Sequence, residues 1–156
     1  MATIIFKPTE KCNSNCIYCD VVVKKKPKTM SLELLEHIFK NMDEFLKAKP
    51  KERVQLIWHG GEPLLLGEDY FLKAIEFQET YCKNTKNRID HAIQSNLTLL
   101  NERFLNIFKR LNINQIGTSF EPIPNLRGPG EKRDSVYYNS QFMKGINMLE
   151  KNHFGW

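Results

Sequence analysis

The sequence lacks any long apolar run. Nowhere in its 156 residues is there a stretch near the roughly 18 consecutive apolar residues a membrane helix needs. Its opening, Met1-Ala2-Thr3-Ile4-Ile5-Phe6, has no basic region followed by an apolar run, so no secretory signal is visible. A membrane partner is therefore not expected, and the cytoplasm is the expected compartment. Internal repeats and low-complexity segments are also missing. With 41% hydrophobic and 26% charged residues, the composition is that of a globular domain, not a disordered or collagen-like chain. Cysteine is scarce. There are four, and three fall within eight positions. Disulfides between such close neighbours would staple little chain, and without a secretion signal the spacing reads as metal binding.

Acidic residues are outnumbered, 18 against 23 basic, for a net charge of +5. Much of the excess lies in Lys24-Lys25-Lys26-Pro27-Lys28. Such a run reads as a solvated loop, compatible with an anionic cofactor or an acidic peptide. No nucleic-acid motif accompanies it, so no nucleic-acid partner is expected.

Hydrophobic patterning alternates strands and helices. Thr3 to Pro8 reads as a first strand. Ser31 is a predicted N-cap, followed by Leu32, Leu34, Leu35, Ile38, Phe39, Met42, Phe45 and Leu46 at helical spacing, and Pro50 ends that helix. Val54 to Trp58 is a second strand, running into His59-Gly60-Gly61-Glu62-Pro63. A helix over 68–82 and a strand over 88–95 follow. A helix over 100–111 and a fourth strand over 113–120 come next. A Pro/Gly-rich loop over 121–130 leads to a last helix from Asn139 to Lys151. Four β-α units in succession predict an α/β fold with a parallel sheet. Periodicity leaves open whether the sheet is flat or part of a barrel. In both, ligand-binding loops gather at the carboxyl ends of the strands. The cysteine segment and the Gly-Gly-Glu segment both fall there.

Cys12-Asn13-Ser14-Asn15-Cys16-Ile17-Tyr18-Cys19 has the spacing C-x3-C-x2-C. Three soft thiolates on one loop suit three irons of a cubane cluster, leaving its fourth iron open. Zinc is the alternative, but a structural zinc site takes four protein ligands. The fourth would have to come from His59 or Cys82. Cys82 sits at an apolar helix position and reads as a buried core thiol. His59 reads as a neutral, hydrogen-bonded imidazole.

C-x3-C-x2-C after a first strand, with Tyr18 before the last cysteine, resembles the signature of radical S-adenosylmethionine (radical SAM) enzymes. Gly60-Gly61-Glu62-Pro63 resembles that family's second motif. The resemblance implies a (β/α)6 partial TIM barrel. It also implies that Cys12, Cys16 and Cys19 hold a [4Fe-4S] cluster, whose open iron chelates S-adenosylmethionine. The reduced cluster would cleave that molecule to a 5′-deoxyadenosyl radical, with the protein orienting the cofactor. Glu62 and the carbonyls of Gly60 and Gly61 would then meet the cofactor ammonium, and Tyr18 would lie near the adenine.

Gln94-Ser95-Asn96 resembles the Q-[TS]-N-G segment of anaerobic sulfatase-maturating enzymes and related peptide maturases, with Leu97 where that subgroup has glycine. Gln94 and Asn96 are thus candidates to bond cofactor or substrate. Ser119-Phe120-Glu121-Pro122 resembles another segment of the subgroup and makes Ser119 a candidate for the cofactor carboxylate. A downstream arginine completes that contact in relatives. Arg127 is preferred over Arg133 because it leads the constrained turn Gly128-Pro129-Gly130.

The resemblance further implies a ribosomally made peptide or protein substrate and a flavodoxin- or ferredoxin-type reductant. The family core has six β-α units. The chain supplies four and stops at Phe154-Gly155-Trp156, which reads as the start of a fifth strand. Residues 1–156 are therefore expected to be the N-terminal portion of a radical SAM core domain. The open sheet edge would be covered by further chain or by self-association.

Overall fold

A computed structural model describes residues 1–19 and 26–156, so Lys24 and Lys25 of the basic run lie outside the described residues. Four strands form one sheet in the order β1-β2-β3-β4: Ala2–Thr9, Val54–Gly60, Ile89–Gln94 and Ile116–Gly117. Every pairing is parallel. The crossovers carry α1 (Leu32–Ala48), α2 (Glu68–Tyr81) and α3 (Glu102–Arg110), and α4 (Ser135–Lys151) follows β4. The predicted α/β architecture is present.

Helix starts follow their caps. Ser31 accepts a hydrogen bond from the Leu34 N–H. Asn101 accepts from Arg103 and Phe104 and starts α3 at Glu102, two residues later than the periodicity suggested. Asp134 accepts from the Tyr137 N–H and starts α4 four residues before the predicted Asn139. A short polar side chain that satisfies free N–H groups fixes a helix start better than the first apolar residue does.

Strands alternate sharply. Val54, Leu56 and Trp58 are buried, whereas Gln55, Ile57 and His59 are half-exposed. The buried rows pack against the helices around Trp58, whose ring meets Phe6 edge-on at 4.8 Å and Phe71 at 4.9 Å. Phe39, Leu46, Phe71, Leu105 and Phe108 are all fully buried in this layer. Cys82 is buried there too, with its Sγ 3.4 Å from the Phe39 carbonyl oxygen. Burial pushes its thiol up to about 11. It is the core thiol the sequence suggested.

The fourth strand is much shorter than the predicted 113–120. Only Ile116 and Gly117 pair with β3, opposite Ile93 and Gln94. Ile113 still closes the end of α3, donating its N–H to the Phe108 carbonyl. Apolar, β-branched character marks a strand only where a neighbouring backbone is present to pair with. A parallel bridge from Gln115 to Gly155 places residues 154–156 beside β4, as expected for the start of a fifth strand.

Candidate functional site

The register of β1 against β2 slips between Phe6 and Thr9, after which Thr9 faces Gly60. This bulge turns the chain from β1 into the cysteine loop at the carboxyl end of the sheet. Two glycines let β2 approach that turn closely. A Cβ on Gly60 would stand 2.3 Å from the Thr9 carbonyl oxygen, and one on Gly61 2.0 Å from that of Lys11. In their place run backbone hydrogen bonds, Gly61 N–H to Thr9 and Glu62 N–H to Lys11.

A cavity of about 290 Å³ opens at this end of the sheet. Cys12, Cys16, Cys19 and Tyr18 line it from the cysteine loop, and Gly60, Gly61 and Glu62 from the end of β2. Gln94 and Asn96 line it beyond β3, and Ser119 and Arg127 beyond β4. Every candidate residue from the sequence except Arg133 therefore reaches one cavity. His59, Ser14 and Ser95, which the motifs did not assign to a ligand, line it as well.

All three thiols of the loop are free and half-buried. Burial pushes Cys12 up to about 11. Among the described residues no His, Cys, Asp and Glu side chains close around a single metal ion. One zinc at about 2.3 Å from each sulfur would draw the sulfurs tightly together, whereas a cubane engages each thiolate at a different iron. Three free thiols lining one cavity match the three irons that a cubane offers to protein ligands.

Glu62 is 1% exposed and holds the ends of two strands together. Its Oε1 accepts from the Leu64 N–H at 3.0 Å and from the Ser95 hydroxyl at 2.8 Å. Its Oε2 accepts from the Asn96 N–H at 2.7 Å. A carboxylate has about four acceptor positions, so one remains for a ligand. Burial raises its pKa against the lowering effect of those bonds. A cationic ligand would reverse that bias towards the charged form.

Arg127 is 8% exposed and donates from one guanidinium nitrogen to both the carbonyl and the hydroxyl of Ser119. The guanidinium lies 5.0 Å over the Tyr138 ring, and its Nε has no hydrogen-bond partner. Among the described residues it pairs with no carboxylate. A buried, unpaired cation is costly, so this group is suited to an anionic ligand, and a carboxylate matches its geometry. Arg133 does other work, donating from Nε to the Asn15 carbonyl at 2.7 Å and bracing the cysteine loop. Backbone bonds from Asn15 to Gly128 and from Ile17 to Leu126 strap the same loop.

At His59, Nδ1 accepts from the Gly60 N–H at 2.7 Å, as expected of a neutral imidazole. Gln94 lies over Gly117, where an added Cβ would stand 2.1 Å from its Oε1. The Asn96 side chain caps its own loop, accepting from the N–H and hydroxyl of Thr98. Leu97 adopts φ 62°, so the tight turn forms without the subgroup's glycine. Leu97 is buried against Gly145 of α4, where a Cβ would come within 2.7 Å of the Leu97 Cβ.

The geometry and the comparisons with known proteins agree. Residues 6–155 match the Radical SAM superfamily. The chain belongs to the radical SAM superfamily. Its curated relatives include a serine-type anaerobic sulfatase-maturating enzyme of Bacteroides thetaiotaomicron, 34% identical over 93% of this chain and 35% of the relative. The radical SAM fold is seen directly in solved structures of anSMEcpe. The form with bound AdoMet has TM-score 0.81 and 22% identity, covering 99% of this chain and 42% of that one. Another, with AdoMet and the Cp18Cys peptide, has TM-score 0.79 and 23% identity, covering 99% of this chain and 41% of that one. The chain thus spans well under half the length of these relatives. Radical SAM enzymes as a family use a [4Fe-4S] cluster with S-adenosylmethionine, and the thiols, the Glu62 acceptor and the buried Arg127 are a donor set that fits them. No helix among the described residues is long and apolar enough to cross a membrane.

Proposed function

We propose that residues 1–156 are the cluster- and S-adenosylmethionine-binding part of a radical SAM core whose enzyme modifies a peptide or protein. The observation that carries this reading is the single cavity joining three free thiols to a buried carboxylate and a buried guanidinium that pairs with no carboxylate among the described residues. Cys12, Cys16 and Cys19 hold the cluster. When bound and reduced, that group supplies the electron that cleaves S-adenosylmethionine to methionine and a 5′-deoxyadenosyl radical. Glu62, with the carbonyls of Gly60 and Gly61, accepts from the cofactor ammonium. Arg127 would receive the cofactor carboxylate, with Ser119 beside it. Tyr18 flanks the adenine, and Gln94 and Asn96 complete the polar wall. Arg133 acts from outside the cavity by bracing the cysteine loop.

The peptide substrate rests on the likeness to sulfatase-maturating enzymes and to a peptide-bound neighbour. A flavodoxin- or ferredoxin-type protein is the proposed reductant. A reducing, anaerobic cytoplasm is the proposed compartment, because thiolate-held clusters of this kind need protection from oxygen.

The test is anaerobic reconstitution with iron and sulfide, reduction, addition of S-adenosylmethionine, and quantification of 5′-deoxyadenosine. The expected result is about four irons per chain, as a cubane requires, with nucleoside formed. Cys16→Ala should form none. Iron and cofactor binding without nucleoside would favour a second reading, a binding portion that needs further chain for turnover. Ile5, 62% exposed in the middle of a strand, is the observation behind that alternative. One zinc and no iron would sink both.

A further inference from the structure

Cys12 is bracketed by two links, one direct to Glu62 and one to the loop after β3 that holds Glu62. On one side, the Lys11 carbonyl accepts from the Glu62 N–H at 2.8 Å. On the other, the Asn13 side chain enters a closed ring of hydrogen bonds. Asn13 Nδ2 donates to Thr98 Oγ1 at 2.8 Å. Thr98 Oγ1 donates to Asn96 Oδ1 at 2.8 Å. Asn96 Nδ2 donates back to Asn13 Oδ1 at 2.9 Å. Each group gives one proton and accepts one, so the ring is directionally consistent and its bonds reinforce one another. The backbone N–H of the same Asn96 donates to Glu62 Oε2 at 2.7 Å.

The ring spans two loops far apart in sequence, 83 residues between Asn13 and Asn96. The Cys16 side of the loop is held differently, by backbone bonds to Leu126 and Gly128 and by Arg133. Asn13 ties the cysteine loop to the loop after β3, and the Asn96 backbone N–H carries that tie on to Glu62.

We propose that Asn13 is a positioning residue, which with Thr98 sets the Cys12 thiol in register with the Glu62 carboxylate before any ligand binds. This rests on the functional reading above, in which Cys12 meets iron and Glu62 meets the cofactor ammonium. Asn13 touches neither ligand. It fixes the offset between the two groups that do, as outer partners commonly do for metal ligands.

The test uses Asn13→Ala, Thr98→Val and Thr98→Ser. Thr98→Val removes the middle hydroxyl at nearly constant volume and leaves the cysteine loop unaltered, while Thr98→Ser restores the hydroxyl. The first readout needs no cluster. Iodoacetamide is applied anaerobically to the folded, metal-free protein, and alkylation is followed by mass spectrometry at each cysteine. Freed from its bracket, the Cys12 thiol gains exposure to the reagent. Cys12 should react faster than in the parent in both Asn13→Ala and Thr98→Val. Cys16, Cys19 and Cys82 should keep parent rates, and Thr98→Ser should match the parent. The second readout is made after reconstitution. Both disruptive variants should keep about four irons and bind S-adenosylmethionine about tenfold more weakly, read from the cofactor-dependent change in the electron paramagnetic resonance spectrum.

Equal Cys12 rates in parent, Asn13→Ala and Thr98→Val would overturn the proposal. So would acceleration of all four cysteines together, which is general loosening, or a Thr98→Ser variant that behaves as Thr98→Val. A parent that takes up no iron would defeat the functional reading alone, because the alkylation pattern would still judge the ring.

Discussion

On the helix-covered face of the sheet, Leu56, Trp58 and Ile93 are sealed from solvent. On the opposite face Ile5 is 62% exposed, and Ile57 and His59 are half-exposed. The same strands supply both rows, because successive side chains point to opposite sides. The covered row makes the fold. The open row and the carboxyl ends carry the polar and sulfur chemistry, with Cys12, Cys16, Cys19, Glu62 and Arg127 around one cavity. Stability and chemistry are thus divided by strand parity, and substitutions should divide the same way.

The largest stability effect should come from the covered face. Trp58→Ala removes the ring that Phe6 and Phe71 pack on and should cost about 3–5 kcal/mol in urea denaturation. A cost below about 1 kcal/mol would show that this face is not the core.

His91 comes next. It is buried, accepts from the Trp58 indole N–H at Nδ1 (3.1 Å), and lies 2.6 Å from Gln78 Oε1 through Nε2. The bonds fix a neutral ring protonated at Nε2, and burial holds the pKa down at about 4 against an ordinary 6.5. The folded-state value is depressed, so only the unfolded chain takes up the proton between these values. Stability is complete above about pH 6.5 and falls as the pH drops towards 4, by about 3 kcal/mol. Urea midpoints compared across that window should move less for His91→Gln than for the parent. An unchanged slope would remove His91 from the account.

Gly145 sharpens the comparison where α4 meets the site. Gly145→Ala would place a Cβ 2.7 Å from the Leu97 Cβ. Overpacking of that kind costs about 1–3 kcal/mol, offset by about 1 kcal/mol of helix propensity. The net loss should shrink in a Leu97→Gly background, as coupled neighbours require. Additive losses in thermal denaturation would separate the two residues.

The smallest effect belongs to the open face. Ile5→Ala should change stability by less than about 0.5 kcal/mol. A loss as large as that of Trp58→Ala would mean that both faces are core.

Much of the site could be read from spacing. C-x3-C-x2-C and Gly-Gly-Glu are local patterns at strand ends, and the α/β alternation brings such ends together. The Cys82 thiol and the neutral His59 followed from the habits of their residue types. The β4 limits did not, because pairing requires a partner that a run of apolar residues does not reveal. The start of α4 had a signal in Asp134, a capping side chain that apolar periodicity overlooks.

By itself, then, the sequence determined the family, the order of elements, the three thiols and the loop that faces them. Those features depend on short-range spacing, which the chain carries wherever it goes. The tertiary structure set the preferred Arg127 in the cavity and turned Arg133 to the cysteine loop. It alone paired Asn13 with Asn96 and Thr98, put Leu97 at a positive φ against Gly145, and buried His91 under Trp58. Each of these joins residues distant along the chain, and their energies depend on burial and on matched donors and acceptors. Such matches exist only after the strands have been laid side by side.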